Sequence, residues 1–161
     1  MGKGLIIIGY QGIGKTSCGG WNDCIDLESS CFRVSGERAD GWYLPYCQTA
    51  MNLANQGYTV FTSSHKEVRE TLKTMPLMEN VARVVVFCPT LQMENEWIEK
   101  LEERYTRTKL DKDYRALMNT KERFEDNIRE LEGCGLPVYN PFYPVYDLRN
   151  YVRVIRHDWC D

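Results

Sequence analysis

The chain has 161 residues, 43% of them hydrophobic and 27% charged, which suits one globular domain with a real core. Its formal net charge of -3 excludes a strongly basic footprint for duplex nucleic acid but leaves a local basic cleft open, and no apolar run is long enough to cross a membrane. The seven cysteines form no C-x-x-C pair and no signal-peptide pattern is present, so we expect free thiols and a cytoplasmic location.

The first element is a continuous apolar run from Gly4 to Ile8, which is typical of a strand buried on both faces. A glycine-rich turn follows it. Gly19 and Gly20 then leave room for only a short helix. Cys24 to Leu27 predicts a short second strand.

The middle of the chain alternates between helix and strand patterns. The polar segment from Arg33 to Gly41 predicts a loop, and apolar residues at helical spacing predict a helix from Trp42 to Gln56. Gly57 ends that helix, and Tyr58 to Thr62 predicts a strand by its β-branched and aromatic content. Ser64 and Glu67 match a capping box at the start of the next helix.

The second half begins with a buried strand from Val81 to Cys88, which Pro89 closes. Apolar residues at spacings of three and four predict two long charged helices, at about 91–105 and 110–132. The aromatic tail from Tyr139 to Tyr146 is expected to pack in the core or at a sheet edge, before a short helix around Tyr146 to Val154.

Strands that alternate with helices predict an α/β fold with a mainly parallel sheet. No internal repeat or low-complexity linker divides the chain. We therefore expect a single domain over residues 1–161, with a helical lid-like hairpin at about 91–132.

The turn after the first strand matches the pattern G-x-x-x-x-G-K-[ST] without a mismatch. Its glycines let successive N–H groups converge on anionic oxygens, and the following helix start adds a favourable dipole. Lys15 is expected to bind the β- and γ-phosphates, and the Thr16 hydroxyl to ligate Mg²⁺. The residues predicted to bind the nucleotide are Gly9, Gln11, Gly12, Ile13, Gly14, Lys15, Thr16 and Ser17.

Two carboxylates follow at the end of the second predicted strand. The carboxyl ends of strands in an open α/β sheet open on the ligand crevice. Asp26 is therefore predicted either to hold Mg²⁺ through water or to act as a base, with Glu28 nearer the acceptor. A solvated strand-end charge or a cap is the alternative interpretation of Glu28.

Ser63, His65 and Arg69 follow another strand and begin a helix, so we expect them at the same crevice, where they could contact the substrate. As residues of a surface helix, they need no function. Arg104 and Arg107 lie at the joint between the two long helices. They are predicted to act on the phosphates from a closing segment, and a solvated helical hairpin with mixed-sign charge pairs is the alternative.

These blocks together resemble P-loop kinases of the nucleoside monophosphate kinase type, and more narrowly small nucleotide-kinase-like proteins of phages and prophages. The resemblance rests on Gly9 to Ser17, Ile25 to Ser30, Phe61 to His65 with Val68 and Arg69, and Phe87 to Pro89. It implies a three-layer P-loop NTPase fold, ATP as donor with Mg²⁺, an acidic residue at Asp26 and a lid that carries arginine.

The leading hypothesis is transfer of the γ-phosphoryl group of ATP to a small acceptor, preferably a nucleotide or nucleoside. A polynucleotide or another small-molecule kinase, and a regulatory or structural nucleotide-binding protein without transfer, remain as alternatives. The expected partners are a nucleoside triphosphate and a small-molecule acceptor, with a homodimer left open. Duplex nucleic acid and membranes are not expected.

Overall fold

The computed structural model describes residues 2–15, 21–34, 37, 38 and 40–161. The described strands are β1 (Gly4–Gly9), β2 (Cys24–Asp26), β3 (Arg33–Val34), β4 (Glu37–Arg38), β5 (Thr59–Thr62), β6 (Val81–Phe87) and β7 (Val138–Tyr139). The described helices are α1 (Tyr43–Asn55), α2 (Lys66–Thr74), α3 (Glu94–Thr108), α4 (Asp111–Glu132) and α5 (Leu148–Trp159). Short 3-10 turns occupy Ser29–Phe32 and Leu91–Met93.

The main sheet has five strands in the order β2-β5-β1-β6-β7, and all neighbours are parallel. The chain leaves the central strand β1 for one side of the sheet and later crosses to the other side. This reversal of direction places the loop after β1 where ligands bind in open α/β sheets. The α/β fold and the parallel sheet are confirmed, and the arrangement is compatible with three layers.

The core is built around β1. Leu5, Ile6, Ile7 and Ile8 are all fully buried, as expected for a strand covered on both faces. At the start of the strand, a Cβ on Gly4 would lie 1.6 Å from the carbonyl oxygen of Ala54 in α1, so glycine is required for this close contact.

The two long charged helices are confirmed, and each is anchored in the core. Trp97 of α3 is fully buried, as is Ile128 of α4, and Phe124 of α4 is 2% exposed. Helix α3 begins at Glu94, after a 3-10 turn, and non-helical dihedrals at Arg123 kink α4. The predicted lid-like hairpin is therefore anchored in the core through side chains of both helices.

Two predictions about local structure before residue 70 were wrong or incomplete. The segment predicted as a loop contains a small antiparallel pair, in which Arg33 faces Arg38 and Val34 faces Glu37. Ser64 does not cap α2, because the helix begins one residue later, with His65 at the N-cap and no side-chain capping bond.

The aromatic tail begins with a strand that the sequence pattern did not reveal. Val138 and Tyr139 form β7, which pairs with Val86 and Phe87 at the edge of the main sheet. The expected sheet-edge packing is confirmed for this part of the tail. The final helix starts at Leu148 rather than Tyr146, after Asp147, whose carboxylate accepts a 3.0 Å hydrogen bond from the backbone N–H of Arg149.

Two further properties concern only the part of the chain that the structure describes. Five of its cysteines, Cys24, Cys47, Cys88, Cys134 and Cys160, are free thiols; Cys18 lies outside the described residues, and of Cys31 only the backbone is described. Within the described ranges, no helix has the length and apolar character needed to span a membrane.

Candidate functional site

The glycine-rich turn follows the carboxyl end of β1, as predicted. Gly12 and Gly14 adopt φ values of 87° and 104°, in the left-handed region that glycine tolerates best. A Cβ on Gly9 would lie 3.1 Å from Cδ of Lys15, so the lysine chain folds closely over the turn. The described part of the motif thus forms a tight cradle that depends on its glycines. Thr16 and Ser17, predicted to bind Mg²⁺ and phosphate, lie outside the described residues.

Lys15 lies between the ends of two strands. Its Nζ donates a 3.1 Å hydrogen bond to the carbonyl oxygen of Gly9 and a 3.5 Å one to that of Thr62. These carbonyls keep the ammonium group over the turn, at the edge of the sheet where β1 and β5 end. This is a suitable position for a cation that binds phosphate oxygens.

Two aromatic side chains bind the outer side of the turn. Trp97 Nε1 donates a 2.8 Å hydrogen bond to the carbonyl oxygen of Gln11, and the Tyr146 hydroxyl donates a 2.7 Å one to that of Ile13. Lys100 Nζ lies over both rings, 4.3 Å from the Trp97 centroid and 4.9 Å from that of Tyr146. Helix α3 and the segment before α5 therefore fix two peptide groups of the turn.

The inner side of the turn is joined to α4. The buried Tyr10 hydroxyl lies 3.2 Å from Thr120 Oγ1 and accepts a 3.0 Å hydrogen bond from Asn127 Nδ2. Gln11 Nε2 donates to Thr120 Oγ1 at 2.6 Å and to the carbonyl oxygen of Ala116 at 3.0 Å. The side chain of Gln11 thus holds the turn against α4.

Asp26, at the end of β2, lines a cavity of about 150 Å³ together with Lys15, Arg104 and other residues. Burial raises the pKa of its carboxyl group, and the nearby charge of Lys15 opposes that rise. Glu28 also lines this cavity but is half-exposed, and its Oε1 lies 3.9 Å from Lys112 Nζ. Asp26 and Lys15 therefore line the same cavity at one edge of the sheet, as expected from the sequence.

Tyr46 of α1 connects the two strand ends that border this cavity. Its hydroxyl donates a 2.6 Å hydrogen bond to the carbonyl oxygen of Leu27 and accepts a 2.9 Å one from the N–H of Ser63. Burial raises the pKa of Tyr46 to about 12, so the hydroxyl stays protonated and can make both bonds. Tyr46 lies within the helix predicted from Trp42 to Gln56, but helical spacing alone could not show this pair of hydrogen bonds.

The predicted substrate residues after β5 take different positions. Ser63 and His65 line a large cleft of about 770 Å³, with Ser63 Oγ 2.8 Å from His65 Nδ1. Arg69 also lines this cleft, but its guanidinium group is bound to the Ser64 carbonyl oxygen and, at 3.1 Å, to Glu130 of α4. Arg69 therefore connects α2 to α4.

The two predicted arginines of the hairpin line a third cavity, of about 450 Å³, on the Gly12 and Gly14 side of the turn. Arg104 Nε lies 3.1 Å from Oδ1 of Asp113, a carboxylate that is 5% exposed, and Arg104 also lines the Asp26 cavity. Arg107 lines the third cavity but not the other two. The structure thus brings Arg104, and not Arg107, to the Asp26 cavity.

Lys112 is a site residue that the sequence interpretation missed. Among the described residues, it alone lines all three cavities. A signal was available in the sequence, because a cation in the first turn of a helix opposes the helix dipole and suggests another role. That signal is weak without knowledge of where the helix starts.

No protein-family model matches the chain, and no curated protein is similar to it in sequence. The kinase resemblance therefore rests on the motifs and on their arrangement. No cluster of three or more His, Cys, Asp or Glu side chains suited to a metal ion occurs among the residues that the structure describes.

Proposed function

We propose that the protein is an ATP-dependent phosphotransferase with a P-loop NTPase fold, and that it moves the γ-phosphoryl group of ATP to a small acceptor, a nucleotide or nucleoside. The observation that carries the proposal is the cavity where Lys15 of the phosphate-loop motif meets Asp26 and Arg104. Phosphoryl transfer needs such a combination of a phosphate-binding cation, a carboxylate and a further cation.

The arrangement of the cavities supports transfer between two substrates. The cavity at Gly12 and Gly14 lies on one side of the turn, and the large cleft at Ser63 and His65 lies on the other. The Asp26 cavity shares Lys15 and Ser63 with the large cleft and Gly12, Gly14 and Arg104 with the other cavity, and Lys112 lines all three. A protein that only bound a nucleotide would not need a second cleft beside the carboxylate.

The residues present fit a bound nucleoside triphosphate. A Cβ on Gly9 would lie 2.4 Å from Cδ1 of Ile13, so the cradle needs glycine there, and the Lys15 ammonium group donates to the Gly9 and Thr62 carbonyl oxygens over it. Mg²⁺, when bound, would supply positive charge that neutralises the phosphates. The Thr16 hydroxyl of the motif would ligate it together with water, because Mg²⁺ keeps several waters in protein sites.

The chain's own residues would then act as follows. Lys15 binds β- and γ-phosphate oxygens, and Arg104 and Lys112 stabilise the charge that develops on the transferred group. Asp26 accepts the proton of an acceptor hydroxyl, and the oxygen of that hydroxyl forms a bond to the γ-phosphorus. The bond from that phosphorus to the β-phosphate oxygen breaks, and the nucleoside diphosphate leaves.

The test is γ-phosphate transfer from labelled ATP, with Mg²⁺, to a panel of nucleosides, nucleotides and oligonucleotides. Lys15→Ala is expected to abolish transfer. Lys121→Ala is the matched control, since Lys121 lies on α4, pairs with Glu102 at 3.1 Å and lines none of the three cavities. ATP binding without transfer to any acceptor would instead favour a regulatory nucleotide-binding protein.

A further inference from the structure

The large cleft is an elongated groove. We call it the α4 groove: on one side it is lined by the phosphate turn, the ends of β2 and β5 and the start of α2, and on the other by α4. Its α4 lining extends from Lys112 to Glu130 and beyond. At 1.5 Å per residue this stretch of helix is about 27 Å long, although the kink at Arg123 shortens it somewhat.

The lining is locally cationic in a chain whose net charge is -3. Six lysine and arginine side chains line the groove, against Glu28 and Glu130. Lys15 and Lys112 also line the Asp26 cavity. Lys66, Arg69 and Arg123, which line the groove but not that cavity, we call the far-end cations. A ligand that used both ends would carry negative charge along its length.

The far-end cations differ in how firmly they are bound within the protein. Arg69 is 12% exposed and forms a 3.1 Å pair with Glu130, which suits a structural connection. Lys66 and Arg123 are more than half exposed, and their nearest carboxylate oxygens lie at 3.7 to 3.9 Å. Such loose surface pairs contribute little to stability, so anionic oxygens of a ligand can replace them.

The position of Asp26 and the composition of the groove lining each indicate which kind of acceptor would bind. A terminal phosphate would already be ionised, whereas a hydroxyl acceptor must lose a proton, and Asp26 lies where it can accept one. A lining of spaced cations with few exposed aromatic rings suits contact with a sugar-phosphate backbone rather than stacking on bases.

On the basis of the proposed phosphotransfer, we propose that the acceptor is the terminal hydroxyl of a short single-stranded oligonucleotide whose backbone lies along the α4 groove. The hydroxyl proton passes to Asp26, its oxygen bonds to the γ-phosphorus of ATP, and ADP leaves with the broken bond's electron pair. Lys112 contacts a backbone phosphate near the reacting end, and Lys66 and Arg123 contact phosphates several nucleotides further along the strand. A groove of about 27 Å exceeds one nucleotide several-fold, since a stacked strand advances about 3.4 Å per nucleotide.

The experiment measures two quantities on the full chain, with oligothymidylates of one to eight nucleotides as probes. The first is phosphate transfer from ATP, with 5′-blocked and 3′-blocked strands to identify the reacting end. The second is binding of a fluorescently labelled eight-nucleotide strand by anisotropy, which does not depend on catalysis. We expect kcat/KM to rise about tenfold or more with length before reaching a plateau, and binding to weaken with added salt.

The test variant carries both Lys66→Ala and Arg123→Ala, and the control variant carries Arg129→Ala. Arg129 is an exposed α4 arginine that pairs with Glu125 and does not line the groove. The double variant is expected to lower kcat/KM for long strands about tenfold and to leave thymidine and mononucleotides unchanged, with the control unaffected.

The outcomes separate this inference from the proposed function. Equal or better transfer to nucleosides and mononucleotides than to long strands would overturn the inference and leave the kinase proposal intact. Strand binding that depends on Lys66 and Arg123, without transfer to any hydroxyl, would support the groove as a binding site and count against the kinase proposal. If the protein shows no strand binding and no dependence of transfer on strand length, the groove assignment is overturned.

Discussion

The indole Nε1 of Trp97 donates a 2.8 Å hydrogen bond to the carbonyl oxygen of Gln11. No described peptide bond is cis, so this bond turns the N–H of Gly12 away from Trp97. The Tyr146 hydroxyl does the same for the next glycine by binding the Ile13 carbonyl at 2.7 Å. The two aromatic residues therefore set the direction of peptide N–H groups in the phosphate turn without approaching a ligand.

This relationship makes Tyr146→Phe an informative variant. The change keeps the ring and removes only the hydroxyl, so the Ile13 carbonyl loses its partner at a cost of about 1 kcal/mol. We expect ATP to bind about fivefold more weakly by calorimetry, because the turn is less well ordered before binding. Trp97→Phe should weaken binding as well, with an added loss of stability from the smaller ring.

Tyr151→Phe is the matched control for that experiment. Tyr151 packs in the same aromatic cluster, 5.6 Å from Tyr146 between ring centroids, but its hydroxyl binds the N–H of Phe142 rather than the turn. An equal loss of ATP affinity in Tyr151→Phe and Tyr146→Phe would contradict the role assigned to the Ile13 contact.

A second prediction concerns the brace at Tyr46. Tyr46→Phe removes the partner of both the Leu27 carbonyl and the Ser63 N–H, two partly buried groups near Asp26. We expect the free energy of unfolding to fall by about 1–3 kcal/mol, measured by urea denaturation. Tyr43→Phe, one turn earlier on α1, removes a hydroxyl that makes no hydrogen bond among the described residues and should change stability little.

The parts of the fold that the sequence predicted are those set by local pattern. The apolar run before Gly9 predicted a strand with buried side chains, and the apolar spacing around Trp97 and Phe124 predicted helices with one buried face. Both surfaces are buried in the structure. Gly57 ends α1 at φ 103°, a conformation that only glycine adopts readily.

The parts that were missed depend on contacts between distant segments. Val138 and Tyr139 are too few to give a strand pattern, and they become β7 only because the edge of β6 is available for pairing. Ser64 satisfied the capping pattern, but the Arg69 side chain bonds its carbonyl oxygen and the helix starts later.

The candidate site shows the same division. The motif predicted Lys15 and the strand end predicted Asp26, because both follow from rules about single segments. The place of Lys112 beside three cavities requires α4 to lie across the carboxyl edge of the sheet, which no local pattern encodes.

A third prediction follows for Lys112. Lys112→Ala is expected to lower kcat about 10²-fold, since it removes a cation from the point where the two substrates would meet. Lys112→Arg should retain part of the rate, because the proposed role needs a positive charge at this position. If Lys112 had only a structural role at this exposed position, alanine and arginine would give the same rate. The melting temperature should stay unchanged, because the 3.9 Å pair with Glu28 is exposed on both sides.

A fourth prediction uses the raised pKa of Asp26. As a proton acceptor, the carboxyl group must be ionised, so kcat/KM should fall as pH drops through a pKa above the usual aspartate range. Asp26→Asn should lose activity and also lose this acid limb from its residual rate. If the variant keeps its rate within a few-fold, Asp26 is not the base.

The same raised pKa predicts an opposite effect on stability. The folded protein holds the Asp26 proton more tightly than the unfolded chain, because burial disfavours the charged carboxylate. The contribution of this group to stability is therefore fully present below the ordinary aspartate pKa and is lost as pH rises through the raised value. At neutral pH, Asp26→Asn should consequently melt at the same temperature as the parent protein or higher, even though it has lost activity. A lower melting temperature at neutral pH would show that the ionised carboxylate stabilises the fold, and would contradict its placement as a buried base.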